Sequence, residues 1–141
     1  LEVMEICQVP QAVIYPKEFG TKKDIADFQD SVFYLSADAP VEYSRANLEQ
    51  ICVQKEFIPK TKVVPNHATL LSLMDREDSA AIMDLWCQPI YDKKFKYVRL
   101  EASVPIVGAF RKNCAHAKII RMLYETLAER YGEEVMIIIR K

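Results

Sequence analysis

Apolar and polar positions repeat along the chain with two periods, and together they predict a mixed α and β domain. Segments of high β-propensity predict strands, the first of them divided at Pro10: residues 1–15, 31–38, 57–65, 67–74, 94–103 and 133–141. Segments with apolar residues three or four positions apart predict helices: residues 21–30, 41–56, 75–88 and 117–132. Pro59 favours an edge or end position for its strand, because proline has no N–H to donate to a neighbour.

The clearest helix in the pattern is the one that begins near Ala117. Its apolar positions are predicted to form one buried stripe: Ile119, Ile120, Leu123 and Leu127. Gly132 stands where a left-handed C-terminal cap is expected, and the apolar EEVMIIIRK that follows predicts a closing strand.

Two stretches read alike, Val32–Tyr43 and Val98–Ala109. When Pro40 is aligned with Pro105, Leu35 matches Leu100 and Ala37 matches Ala102, with a period of 65 residues. The interpretation is a module of small-domain size that is used twice.

The residues Val98–Ile139 carry a family resemblance. A strand ending in Ser-Val-Pro, a Val-Gly turn into a short helix, a polar loop, a second helix and an apolar strand together resemble a type I KH domain. Arrays of such units, some with a shortened helical part, are similar to those of the Bicaudal-C group of post-transcriptional regulators. The resemblance implies an α+β fold of β-α-β-β-α and β-α-α-β units, with antiparallel sheets and with helices packed on one face.

This chain departs from the KH pattern at the loop that holds RNA. KH domains clamp single-stranded nucleic acid with a GXXG loop, but Arg111–Cys114 reads RKNC here. The first unit is shorter and lacks the segment altogether. The predicted division is therefore a partial β-β-α segment at 1–30, a shortened KH-like unit at 31–91 and a partial KH-like unit at 92–141.

Composition and motifs exclude several other classes of function. The chain has 141 residues and a net charge of −1, so it lacks the basic field of a dedicated nucleic-acid binder. Its four cysteines stand far apart and are expected to be free thiols in a reducing compartment, with no metal site. Without a nucleophile motif or a glycine-rich loop, the chain is predicted to be no enzyme and to hold no cofactor.

Two sets of residues remain as candidate binding sites. Basic residues near interleaved aromatics are candidates for weak single-stranded RNA binding: Lys93, Lys94, Lys96, Arg99, Arg111, Lys112 and Lys118. Aromatic residues in apolar surroundings are candidates for partner binding: Trp86, Tyr91 and Phe110.

The predicted function is a non-enzymatic protein-interaction or oligomerisation module of a cytoplasmic RNA-regulatory factor. It would act with a protein partner or a second copy of itself, and with neither a membrane nor a small-molecule substrate. Weak RNA binding is one alternative, and a ubiquitin-like or RWD-like adaptor unrelated to RNA is the other.

Overall fold

The computed structural model describes residues 1–85 and 93–140, with residues 132–140 described by their backbone alone. In this described part of the chain, five strands and three helices follow each other in the order β1, β2, α1, β3, α2, β4, β5, α3, with two 3-10 turns, Lys17–Phe19 and Ile25–Phe28, between β1 and β2. The bounds of these elements are β1 Glu2–Pro16, β2 Val32–Ser36, α1 Val41–Val53, β3 Lys60–Val64, α2 His67–Met74, β4 Ser79–Asp84, β5 Phe95–Phe110 and α3 Ala117–Arg140.

The strands form one five-stranded sheet in the order β3-β2-β4-β1-β5. Strand β2 pairs in parallel with β3, where Val32 lies opposite Lys60, and also in parallel with β4, where Val32 lies opposite Ser79. The mixed α and β content predicted from the sequence is confirmed, and β3 is at the edge of the sheet as Pro59 indicated. The predicted antiparallel sheets are wrong, because β2 has a parallel neighbour on each side.

The chain divides into two compact units. The central unit contains residues 12–83 and 93–100, and the terminal unit contains residues 1–11, 84–85 and 101–140. Strands β1 and β5 each contribute residues to both units. The three-part division at residues 30 and 91 stays a prediction.

The central unit has a continuous apolar core. Buried side chains from the strands and from α2 pack together there: Ile14, Tyr34, Val64, Leu70, Met74, Ala81 and Phe95. The described part of the terminal unit has a smaller cluster, in which Cys7 and Val9 pack against Ile6 and Ile106.

Residues 67–84 reverse the prediction made for them. HATLLSLM is the helix α2, because the Asn66 side chain caps it by accepting a hydrogen bond from the Thr69 N–H at 2.9 Å. SAAIMD is the strand β4, which begins with three buried residues beside β2. Asp75, predicted to start a helix, instead ends α2 as its C-terminal cap.

Prolines and glycines also mark fewer boundaries than predicted. Strand β1 continues through Pro10 and β5 through Pro105, because the fixed φ of proline is compatible with extended backbone. Of the two aligned prolines, Pro40 stands at a boundary, before α1, whereas Pro105 lies inside β5. The two similar stretches therefore fold differently, and the predicted repeat is wrong. Helix α3 continues through Gly132, whose cost in a helix is only about 1 kcal/mol.

The segment around Gly108, predicted to be a turn into a short helix, is part of β5. A Cβ at this position would lie 2.5 Å from the ring of Tyr124 on α3. The glycine therefore lets the tyrosine ring lie directly on the strand.

Candidate functional site

A surface pocket in the central unit brings together charged residues from three separate parts of the chain. Its volume is about 320 Å³. We name it the basic pocket, and it is lined by Pro16, Lys17, Glu18, Asp75, Lys93 and Lys94. Three lysines face two acids, so the lining carries a net charge of +1.

The walls of the basic pocket are positioned by chain ends and turns. Strand β1 ends at Pro16, and the 3-10 turn that follows presents Lys17 and Glu18. The backbone N–H of Lys17 donates to the carbonyl oxygen of Lys94 at 3.1 Å, which ties this turn to the residues just before β5. Asp75 completes the lining from the end of α2.

The charges in the pocket are not all neutralised by one another. The Lys94 ammonium pairs with the Asp75 carboxylate at 3.0 Å. Within residues 1–85 and 93–131, Lys17, Glu18 and Lys93 form no ion pair, and all three are exposed. Among the described residues, two ammonium groups and one carboxylate therefore remain available to a ligand.

A second polar group, centred on Lys22, fixes the loop that follows the pocket turn. The Lys22 ammonium is 3.2 Å from the Asp78 carboxylate and donates to the Ser31 hydroxyl at 3.1 Å. The Ser31 hydroxyl in turn donates to Asp78 at 2.9 Å. The Lys22 backbone N–H donates to the Tyr15 hydroxyl at 2.9 Å, and the ammonium lies over the Phe28 ring. We name these residues the Lys22 cluster.

The acids of the segment DREDS (75–79) each have their own basic or phenolic partner. Asp75 pairs with Lys94, Asp78 with Lys22, and Glu77 accepts a hydrogen bond from the Tyr34 hydroxyl. Among the described residues no group of three potential metal ligands is found. This acidic run therefore connects elements of the central unit.

The described cysteines are free thiols. Burial raises the pKa of the Cys7 thiol and raises the pKa of Cys52 to about 11. A raised pKa keeps a thiol protonated and unreactive near neutral pH. Cys114 is partly exposed.

The structure separates the seven predicted RNA-binding residues into two groups. Lys93 and Lys94 line the basic pocket, and Lys96 lies beside it on β5, where its ammonium donates to the Thr21 hydroxyl at 3.0 Å. Arg99 is exposed further along the same strand. The remaining three, Arg111, Lys112 and Lys118, are exposed in the terminal unit.

Of the predicted partner-binding residues, Phe110 is 6% exposed, and the centroid of its ring lies 5.9 Å from the centroid of the Tyr124 ring. Trp86 and Tyr91 lie outside the described residues. The part that any of these residues plays in binding a partner stays a prediction.

Four of the six lining residues were not among the candidates predicted from the sequence: Pro16, Lys17, Glu18 and Asp75. The predicted first strand ends just before Pro16, and Asp75 was predicted only to start a helix. The available signal was a turn of mixed charge directly after a strongly apolar strand.

No protein-family model and no curated protein matches the chain. Solved structures do match it over nearly its whole length. The regulator CbnR, of the LysR family, matches with a TM-score of 0.67 and 18% identity over 93% of this chain and 47% of its own. The BenM effector-binding domain, solved with its effector benzoate, matches with a TM-score of 0.70 and 20% identity over 94% of this chain and 64% of its own.

A cysteine mutant of OxyR from Corynebacterium glutamicum matches with a TM-score of 0.71 and 12% identity over 99% of this chain and 46% of its own. The regulatory domain of OxyR2 from Vibrio vulnificus, in its reduced form, matches with a TM-score of 0.67 and 13% identity over 91% of this chain and 64% of its own. The chain thus spans between about half and two thirds of the length of these solved structures.

These likenesses correct the resemblance inferred from the sequence. The KH and Bicaudal-C assignment is wrong, because the matching structures are regulatory and effector-binding domains of transcriptional regulators. The RNA-regulatory function, with its RNA-binding and adaptor alternatives, is wrong for the same reason. The prediction that excluded small-molecule ligands is also wrong, because BenM is solved with benzoate bound.

None of the helices in the described part of the chain is long and apolar enough to cross a membrane. At identities of 12–20%, the likenesses establish the fold. The fold of this chain is similar to that of the regulatory and effector-binding domains of these transcriptional regulators.

Proposed function

We propose that this chain is a ligand-sensing domain that binds a small organic effector as part of a LysR-type transcriptional regulator. The observation that carries this proposal is the likeness of 91–99% of the chain to the regulatory domains of three kinds of regulator. The role is non-enzymatic and cytoplasmic. Such a domain can act as a sensor if ligand binding favours one of its conformations over another.

The matching structures suggest two kinds of signal, a bound molecule as in BenM or a thiol reaction of the kind implied by a reduced form and a cysteine mutant of OxyR proteins. Thiol chemistry needs a thiolate, and redox-sensing cysteines accordingly have a low pKa and are accessible. Cys7 and Cys52 are buried and both have a raised pKa. Their environment supports binding of a molecule over oxidation of these two thiols.

The test is a ligand screen by thermal unfolding. The compounds are charged and neutral organic molecules no larger than one or two rings. A ligand that binds the folded state raises the melting temperature in a concentration-dependent way. We expect at least one compound class to give a saturable rise that native mass spectrometry assigns to one bound molecule. A folded protein that no compound in the screen stabilises at millimolar concentration would contradict the proposal.

A parallel exposure to hydrogen peroxide tests the thiol alternative. We expect peptide mass spectrometry to find Cys7 and Cys52 unmodified after minutes at millimolar peroxide. Rapid oxidation of either residue in the folded protein would instead favour redox sensing.

A further inference from the structure

We propose that the basic pocket is a binding site for a small organic acid, whose carboxylate is held by the ammonium groups of Lys17 and Lys93. This inference rests on the proposed function, because it names the site and the chemical class of a ligand for a domain that senses small molecules.

The size of the pocket sets the scale of the ligand. A volume of about 320 Å³ lies at the lower end of the roughly 300–1,000 Å³ typical of small-molecule sites. It corresponds to the space of on the order of ten water molecules. A single-ring or short-chain acid fits this space.

The charges of the lining set the sign of the ligand's charge. The ion pair between Lys94 and Asp75 neutralises one lysine and one acid. What remains among the described residues is Lys17 and Lys93 with Glu18, a net charge of +1. A ligand with one carboxylate balances this charge. Glu18 can accept a hydrogen bond from a donor group elsewhere on the same ligand.

The geometry of the walls favours binding without large rearrangement. Lys17 and Lys94 are joined by a backbone hydrogen bond of 3.1 Å, and Asp75 is held in place by its ion pair with Lys94. The Lys22 cluster anchors the loop just beyond the pocket turn. A site whose walls are already positioned loses less entropy when a ligand binds.

The experiment compares each acid with its neutral amide. Benzoate and benzamide form one pair and lactate and lactamide the other, and both are titrated while the melting temperature is measured. The pocket variant is Lys17→Gln with Lys93→Gln. The control variant is Lys23→Gln with Lys60→Gln, which removes the same charge from two exposed lysines outside the pocket lining.

We expect at least one acid to stabilise the wild type and the control variant, while its amide does not. In the pocket variant the apparent affinity should fall tenfold or more. Raising the ionic strength should weaken binding to the wild type, because salt screens exposed charges.

Two outcomes would overturn this inference and leave the proposed function standing. One is equal binding of an acid to the pocket and control variants, and the other is equal binding of acid and amide. If neither acid binds but another compound in the wider screen does, that compound is titrated with the same two variants, and equal binding to both again overturns the assignment of the pocket. If no compound binds at all, both the inference and the proposed function fail.

Discussion

Helices α1 and α3 have apolar residues at similar spacings, yet among the described side chains only α1 buries a pair of them. Leu48 and Cys52, one turn apart on α1, are 1% and 0% exposed. On α3, Ile119 and Leu123 have the same spacing and are 66% and 54% exposed. The predicted buried stripe of α3 is therefore wrong.

The difference lies in the rotation of α3 about its axis. Its less exposed positions recur at Ala117, Ile120, Tyr124, Leu127 and Ala128. The half-buried face thus keeps Ile120 and Leu127 of the predicted stripe but not Ile119 and Leu123. The Tyr124 ring lies against Phe110 and over Gly108, so an aromatic residue and a glycine fix the docking of the helix. An apolar repeat thus predicts that a helix is amphipathic, and the partner element decides which side is covered.

The largest expected effect is on the buried helix. Leu48→Ala should lower the free energy of unfolding by roughly 2–5 kcal/mol, because it removes a fully buried leucine side chain and leaves a cavity. Urea denaturation followed by circular dichroism measures this change. A loss below about 0.5 kcal/mol, the size of a surface substitution, would show that α1 does not pack as described.

A smaller loss is expected where α3 meets β5. Gly108→Ala places a methyl group 2.5 Å from the Tyr124 ring, and overpacking of this kind costs about 1–3 kcal/mol. The same denaturation experiment measures it.

The matched control for this contact is Gly108→Ala in a Tyr124→Ala background. Removing the ring removes the steric conflict, so the alanine should cost less there. Equal costs in both backgrounds would place the source of the destabilisation elsewhere.

Leu123→Ala should change the free energy of unfolding by no more than about 0.5 kcal/mol, because its side chain is exposed. This variant sharpens the comparison with Leu48, since the residue type and the substitution are identical. A loss of several kilocalories would mean that Leu123 is covered in the folded protein.

The smallest effect is expected for Glu2→Gln. The Glu2 carboxylate accepts two hydrogen bonds from the Arg121 guanidinium, at 2.9 and 2.7 Å. This interaction lowers the pKa of Glu2 from its ordinary value of 4.5. Because the folded state lowers this pKa, the ionised Glu2 stabilises the fold when the pH is above the ordinary pKa. This stabilisation is lost as the pH falls through the folded-state pKa.

Wild type and Glu2→Gln should therefore differ slightly in melting temperature at pH 7, and the difference should shrink as the pH falls below the ordinary pKa of Glu2. High salt should reduce the difference at pH 7, because the pair is exposed. A difference that grows as the pH falls would reverse the sign of this argument.

The elements predicted correctly are those in which several local signals agree. Strand β2 combines high β-propensity with flanking polar residues, and α1 follows Pro40 with an apolar repeat that ends in Cys52. The swap between helix and strand at residues 67–84 has the opposite cause. Both segments are short apolar runs, which period alone does not distinguish, and the capping by Asn66 outweighs the strand-like composition.

The basic pocket could be predicted only in part. Lys93 and Lys94 were identified as candidates from their charge, but Lys17 and Asp75 are distant from them in sequence. Only the folded arrangement brings the end of β1, the end of α2 and the start of β5 together. The KH resemblance failed because it read Val98–Ile139 as a strand, two helices and a closing strand. This stretch instead folds as the rest of the long strand β5 followed by the single helix α3.

The Lys22 cluster has a consequence for chemical labelling of this protein. Lys22 has a side chain only 11% exposed and is held by Ser31 and Asp78, whereas the adjacent Lys23 is exposed. An amine-reactive acylating reagent should therefore modify Lys23 in the folded protein and reach Lys22 only when this loop opens. Because the two lysines are adjacent in sequence, one peptide reports the labelling of both. The ratio of Lys22 to Lys23 labelling over time therefore measures how often the loop opens.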